Sequence, residues 1–213
     1  SGNISHLAVI HPEAAIGKNV QIDPFSALGK CKIGEGSIIG SHVTIHDNCT
    51  IGKNVFIDSN SVIGAMGMAW VWDEGGKEKV KQPQLGAVEI GDNCVLGAQT
   101  VVVRGSINEN TQIGKGSLLA PGCRLGHGTI LKENVHFANG VLTGGNSKVG
   151  ADSFIGSGAI LRPGISLHEN TIAGAGSVVV KDTTTSGLTL MGNPAKEFER
   201  KAKPSGMPKP KKI

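Results

Sequence analysis

The 213-residue chain carries a formal charge of +4, 32 glycines, 3% aromatic residues and no tyrosine. So few large side chains fit only a narrow core of small and branched residues. The positive excess sits in the tail, at Arg200, Lys201, Lys203, Lys209, Lys211 and Lys212, so the near-neutral body argues against nucleic-acid binding.

No run of 18 apolar residues is present, so no membrane span is expected. No signal peptide is visible, and the start, Ser1-Gly2-Asn3, lacks Met. From Ile10 an aliphatic residue returns at every sixth position, at Ile10, Ile16, Ile22 and Leu28. One residue is then dropped, and the register resumes at Ile33, Ile39, Ile45, Ile51, Ile57 and Ile63. A fixed short period of this kind means a solenoid rather than glycine-rich disorder. Each hexad reads as a very short strand and a tight turn, with the in-phase residue inward and Gly or Asn at unusual dihedrals. Three strands close one triangular coil, so residue n stacks over residue n+18, and neighbouring coils bury the aliphatic column.

The four cysteines obey this rhythm. Cys31, Cys49, Cys94 and Cys123 each precede an in-phase aliphatic by two residues, and none has metal-ligand spacing. They read as small inward-facing thiols in a reducing compartment.

Residues 65–88 break the rhythm with Met66, Met68, Trp70 and Trp72, then Asp73-Glu74-Gly75-Gly76 and a Lys-rich run. A loop this long thrown from one corner is commonly functional. It could pack on a neighbouring subunit or help form a substrate site, and a site between subunits would satisfy both. The register returns at Ile90, Leu96 and Val102, and Arg104-Gly105-Ser106-Ile107-Asn108-Glu109 interrupts it again. The longest regular run follows: Ile113, Leu119, Leu125, Leu131, Phe137, Thr143, Val149, Ile155, Leu161, Leu167, Ala173 and Val179. Beyond Val180, Asn193 as N-cap and Pro194 at the first helical position predict a helix to about Lys203, where Pro204 and Gly206 stop it.

The expected fold is therefore all-β: a left-handed parallel β-helix of hexapeptide repeats with a short C-terminal helix and basic tail. Its expected boundaries are 1–182 for the β-helix, with the excursion at 65–88, and 183–213 for the extension.

A triangular prism has no cleft of its own, and proteins of this architecture form trimers whose grooves become the sites. Corner residues therefore matter most. His127 follows Leu125 by two and stands at a corner, with Gly145 next in its column. An imidazole can take a proton from an incoming amine or hydroxyl. A glycine N–H unshielded by a side chain can hold a developing oxyanion. A corner histidine alone is more often simply solvated, which is also the reading of His6, His11, His42, His46 and His168. His136 stands before Phe137 and is a candidate for a supporting role.

The stretches Gly64-Ala65-Met66-Gly67, Lys81-Gln82-Pro83-Gln84-Leu85-Gly86 and Val88-Glu89-Ile90-Gly91-Asp92 resemble the loop and return strand of the UDP-3-O-acyl-glucosamine N-acyltransferases. Thr100-Val101-Val102-Val103-Arg104-Gly105-Ser106 and Leu125-Gly126-His127 are similar to two further segments of that family. The resemblance spans roughly residues 8–180. It implies His127 as general base and the Gly145 N–H as oxyanion donor. His136, Asn139, Gly144, Trp70, Trp72, Arg162, Lys181 and Lys196 are candidate substrate or acyl-donor contacts, the last three for CoA phosphates.

The chain also departs from that family. Nothing before Ile10 is expected to supply the family's uridine-gripping N-terminal domain. The acidic residue seven before its catalytic histidine is Ala120 here, and its second histidine falls where Arg162-Pro163-Gly164-Ile165 stands. Gly192-Asn193-Pro194-Ala195-Lys196 is instead similar to the ending of many CoA-dependent hexapeptide acetyltransferases. These differences favour a short acyl-CoA donor over an acyl carrier protein.

The expected activity is acyl transfer, acetyl above all, from acyl-CoA to the amino group of a nucleotide-linked amino sugar. The expected enzyme is a cytoplasmic homotrimer of surface-polysaccharide biosynthesis, with no permanently bound cofactor, no metal and no nucleic-acid partner. Sugar O-acetylation and a lipid A-type N-acyltransferase using acyl carrier protein stand as alternatives. A γ-carbonic anhydrase would need paired histidines five apart, and five after His127 is Lys132. A non-catalytic β-helix is the remaining rival.

Overall fold

A computed structural model describes residues 2–198. Three sheets of nine, eight and ten strands, parallel except for the last pair of the third, form the faces of a prism, with one separate two-stranded hairpin. Most strands are two residues long, because each must turn a corner after one inward side chain. The first face runs from Val9–Ile10 to Val178–Val179 and the second from Ala15–Ile16 to Ser166–Leu167. The third runs from Gln21–Ile22 through Ile172–Ala173 and continues into Thr189–Gly192 and Ala195–Glu197. In the regular part each rung lies 18 residues above the last, as in Arg124↔Leu142↔Ile160↔Val178. The prism is a left-handed β-helix, matching the expectation from the repeat.

In most prism strands the in-phase residue fills the core, including Ile39, Ile57, Ile63, Leu96, Phe137 and Ile155, all with no exposed surface. The slot two residues earlier holds small side chains, and Ser37 shows why. Its Oγ donates to the Gly52 carbonyl at 2.9 Å and accepts from the Val55 N–H at 3.0 Å. A hydroxyl there ties one coil to the next without leaving a buried polar atom unpaired. The cysteines occupy the same slot, buried and unpaired. Burial pushes the thiols of Cys31, Cys49 and Cys123 up to about 11.

The three outer surfaces differ. The first face presents Val9, Val62, Val101, Leu142, Ile160 and Val178 together with Thr44 and Arg124; the third presents Ile38, Phe56, Val95, Leu118 and Phe154 together with Gln21 and His136. The second presents Lys32, Thr50, Glu89, Gln112, Lys148 and Ser166 together with Ala15 and Ile130. Two largely apolar faces thus share an edge, opposite a largely polar one.

Three interruptions of the prism fall at the corner between the first and second faces. The dropped residue lies between Leu28 and Ile33, the hairpin excursion between Ala65 and Val88, and the second insertion between Val103 and Thr111. His127 belongs to this corner, between Arg124–Leu125 and Ile130–Leu131.

The C-terminal helix is not formed. Thr189–Leu190 pairs in parallel with Ile172–Ala173, and Ala195–Glu197 folds back antiparallel on Leu190–Gly192. The open edge of the last coil offers unpaired backbone groups, and this hairpin satisfies them, overriding the Asn-Pro helix-start signal. The basic tail and the expected helix end near Lys203 lie outside the described residues.

Candidate functional site

The backbone around His127 is pinned on both sides by buried threonines. The Gly126 N–H donates to both the carbonyl and Oγ1 of Thr143, at 3.1 Å each. The Gly128 N–H donates to Thr111 Oγ1 at 3.0 Å, and Thr129 and Thr143 share a hydroxyl bond of 2.9 Å. The His127 carbonyl accepts the Asn146 N–H at 2.7 Å. Thr143 occupies a core position that is aliphatic in most coils, so apolar burial gives way there to holding this turn. Gly128 has φ 63°, a conformation that costs glycine nothing.

The imidazole is held from below. His127 Nδ1 lies 2.7 Å from Glu109 Oε1, and the same oxygen accepts the Ser106 N–H at 3.1 Å. An ionised carboxylate can only accept, so Nδ1 is the donor, and in the neutral imidazole Nε2 presents its lone pair. Both side chains are partly exposed, 37% for His127 and 29% for Glu109, so the base is open to a ligand.

From above, the ring occupies the space a side chain on Gly145 would need. A Cβ there would lie 2.7 Å from Cδ2 and 2.8 Å from Cε1 of His127. Only glycine lets the imidazole lie against the next coil. The Gly145 carbonyl accepts the Gly164 N–H at 2.8 Å, while its own N–H donates to no acceptor among the described residues. Pro163 explains this. At the equivalent turn position, the N–H groups of Lys30 and Lys53 are each capped at 2.7 Å by an aspartate of the next coil, Asp47 and Asp92. The register Thr143↔Leu161 places Pro163 over Gly145, and proline has no side-chain acceptor. An unspent donor therefore stands beside Nε2 of the imidazole.

The two insertions meet at this corner. Arg104 Nε donates to the Gly86 carbonyl at 2.9 Å, and its Nη2 donates to the Asp47 carbonyl at 2.7 Å. Asn110 Oδ1 accepts the Ala87 N–H at 2.8 Å. A Cβ on Gly105 would sit 2.5 Å from the Glu109 carbonyl carbon, so the Arg-Gly pair lets the chain double back and deliver Glu109 beneath His127. On the second face Glu109 borders a depression of mixed character, lined by Asn110, Gln112, Ile130, Asn146, Lys148 and Ser166. Among the described residues, no cluster of three His, Cys, Asp or Glu side chains is placed to hold a metal ion.

Two family models of the repeat match the sequence. Bacterial transferase hexapeptide (six repeats) matches residues 13–47 and 30–65, and the hexapeptide repeat of succinyl-transferase matches 87–123 and 148–181. The chain belongs to the hexapeptide-repeat proteins.

Its relatives among curated sequences include the UDP-3-O-acylglucosamine N-acyltransferase of Coxiella burnetii, 32% identical over 153 residues, covering 57% of this chain and 44% of the relative. That of Pseudomonas syringae pv. tomato is 29% identical over 169 residues, covering 68% of this chain and 44% of the relative. The chain thus spans under half the length of these relatives. Among solved structures, the UDP-N-acetylglucosamine O-acyltransferase of Moraxella catarrhalis superposes with TM-score 0.84 at 25% identity, covering 92% of this chain and 73% of that one. The Francisella novicida UDP-N-acetylglucosamine acyltransferase gives 0.80 at 26% identity, with coverages of 92% and 68%. The resemblance read from the sequence is found, and it extends to hydroxyl-acylating neighbours.

In this hexapeptide-repeat protein the expected site residues divide. His127, Gly144 and Gly145 share one corner. The same register places Arg162 over Gly144, and Lys181 in the column of His127 and Gly145; both are exposed. Trp70 and Trp72 stand on the excursion rooted at this corner. Three others lie elsewhere on the subunit. His136 faces outward on the third face against Phe154, with ring centroids 5.1 Å apart. Asn139 stands at the corner between the third and first faces, and Lys196 lies in the C-terminal hairpin. Glu109 went unrecognised as a site residue, although it lies 18 residues before His127, the separation that marks a stacked column.

Proposed function

We propose that the chain is an acyltransferase that moves an acyl group from a thioester to the amino group of a nucleotide-linked amino sugar. The observation that carries this reading is the Glu109–His127 pair lying against Gly145. Glu109 holds the imidazole in the tautomer whose Nε2 is free to take a proton. The amine nitrogen attacks the thioester carbonyl, forming the C–N bond as His127 Nε2 accepts the N–H proton. The carbonyl oxygen gains charge, which the uncapped Gly145 N–H offsets. The intermediate then collapses, the C–S bond breaks, and the protonated imidazole returns its proton to the sulfur. A sugar hydroxyl could replace the amine under the same base, and the O-acyltransferase neighbours keep that second reading open.

The depression beside Glu109, where amides, a hydroxyl and Lys148 stand around Ile130, offers hydrogen-bond partners to a sugar acceptor. Arg162 and Lys181 continue the His127 edge upward. At about 4.8 Å per coil, Lys181 sits roughly 14 Å from the base level, and both cations favour a phosphate-bearing donor such as acyl-CoA. The chain acts as a homotrimer in this reading. Packing the apolar first face of one subunit on the apolar third face of the next would bury both and leave the polar second face in water. His127 would then stand at the mouth of the groove between them.

The test is acyl transfer from acetyl-CoA, longer acyl-CoA and acyl carrier protein to nucleotide amino sugars, read by thiol release and product mass. His127→Ala should lower turnover by about 10²- to 10⁴-fold, the usual worth of a general base. Near-wild-type turnover in that variant would refute the mechanism.

A further inference from the structure

The excursion is a second binding element. It folds as an antiparallel hairpin of Trp70–Trp72 and Lys79–Lys81, with Trp70 opposite Lys81 and Trp72 opposite Lys79. Alternate residues of a strand share a face, and directly opposed residues share it too. Both indoles and both ammonium groups are thus on one side, while the other side carries Val71 and Val80. The indoles meet edge to face at 5.3 Å, and Lys79 Nζ lies 4.2 Å from one ring centroid and 5.8 Å from the other. About half of each indole remains exposed.

The hairpin is braced. Asp73 Oδ1 accepts the N–H groups of Lys77 and Glu78 at its turn, at 2.7 and 3.0 Å. At its neck, Gln82 N–H donates to the Ala69 carbonyl at 2.9 Å, and the Gly67 N–H donates to the buried Gln84 Oε1. Its foot is bonded to the segment that carries Glu109, through Arg104 to Gly86 and through Leu85 N–H to the Ser106 carbonyl at 3.1 Å.

We infer that the Trp70/Trp72/Lys79/Lys81 face binds the nucleoside diphosphate half of the acceptor, the base stacking on indole and the phosphates meeting the ammonium groups. Aromatic faces alone would suit a neutral sugar, and lysines alone any anion. Their convergence suits a flat, dianionic ligand. The valine side has no cation, and it is the side suited to packing against protein. The inference rests on the acyl-transfer reading only for what hangs on the diphosphate.

Both tryptophans of the chain lie on this hairpin, so intrinsic emission reports on it alone. Titrating UDP into the full chain should quench that emission saturably. The Lys79→Ala/Lys81→Ala double variant, checked for native circular dichroism, should raise the dissociation constant about tenfold, as should high salt. Free N-acetylglucosamine should give no saturable quench. Unchanged emission with UDP, an equal quench by the neutral sugar, or wild-type affinity in the double variant would overturn the inference. So would a Trp70→Ala/Trp72→Ala variant that dissociates the assembly while UDP leaves wild-type emission unchanged. His127→Ala should bind UDP as wild type does. Quenching without acyl transfer would sink the catalytic reading and leave this one standing.

Discussion

Glu109 stands one coil beneath His127, and its Oε1 accepts a hydrogen bond from Nδ1–H, with 2.7 Å between the heavy atoms. The contact fixes both the tautomer and the direction of the ring, with Nε2 turned toward the coil of Gly145. Removing the carboxylate leaves an imidazole free to rotate and to hold its proton on either nitrogen. Glu109→Ala should lower kcat by about 10- to 100-fold while changing the acceptor KM little. Glu109→Gln keeps an acceptor oxygen for Nδ1–H and should recover part of that loss. Steady-state kinetics on both variants decide it, and an unimpaired Glu109→Ala enzyme would remove Glu109 from the mechanism.

Gly145 is tested by its missing side chain. Its Cβ would fall 2.7–2.8 Å from two imidazole carbons, closer than nonbonded carbons approach. The ring would have to swing away from Glu109, which breaks the pair without disturbing the core beneath. Gly145→Ala should therefore lose about 10²-fold or more in kcat, the scale of a lost general base, while melting within a few degrees of wild type. Activity and thermal melting measured on the same preparation separate displacement of the ring from general unfolding.

The fold was legible because a six-residue period leaves each inward position only one role. The stacking of Gly145 on His127 followed from the same arithmetic. Glu109 was hidden by the insertion that delivers it. The step from Val102 to Ile113 is eleven residues rather than six, so counting forward through the break loses the register. Counting back from His127 by one coil lands on it. The helix at Pro194 failed for a different reason. Its start signal is local, whereas the open edge at Ile172–Ala173 is a tertiary demand for strand partners, and the tertiary demand won.

His136 gives the stability of the fold a pH sensitivity. Its Nδ1 is buried without a hydrogen-bond partner, and burial holds its pKa below the usual histidine value. The unfolded chain therefore takes up a proton near pH 6.5 while the folded chain does not, so stability falls as pH drops through that value. The loss is complete once the pH is below the folded pKa. His136→Leu, which keeps the side chain apolar beside Phe154, should show a smaller drop in melting temperature between pH 7.5 and pH 5.5 than wild type. Equal drops in the two proteins would show that the histidine is not the titrating group.

The four cysteines should be chemically silent until the prism opens. Each fills an inward slot with at most 2% exposure, and burial is the largest influence raising every one of the four thiols. With a thiol near 11, the thiolate fraction at pH 8 is about one in a thousand, and the thiolate is the reacting species. A disulfide reagent should therefore label native protein far more slowly than a free thiol at the same pH. In denaturant all four should react rapidly. Because neighbouring coils share each buried slot, labelling in the native state measures local opening of the stack. Cys31, in the coil with the dropped residue, should react before Cys123, which lies in the regular run two residues from Leu125. Mass mapping of partially labelled protein reads that order, and a uniform rate across the four would mean the prism opens as one unit.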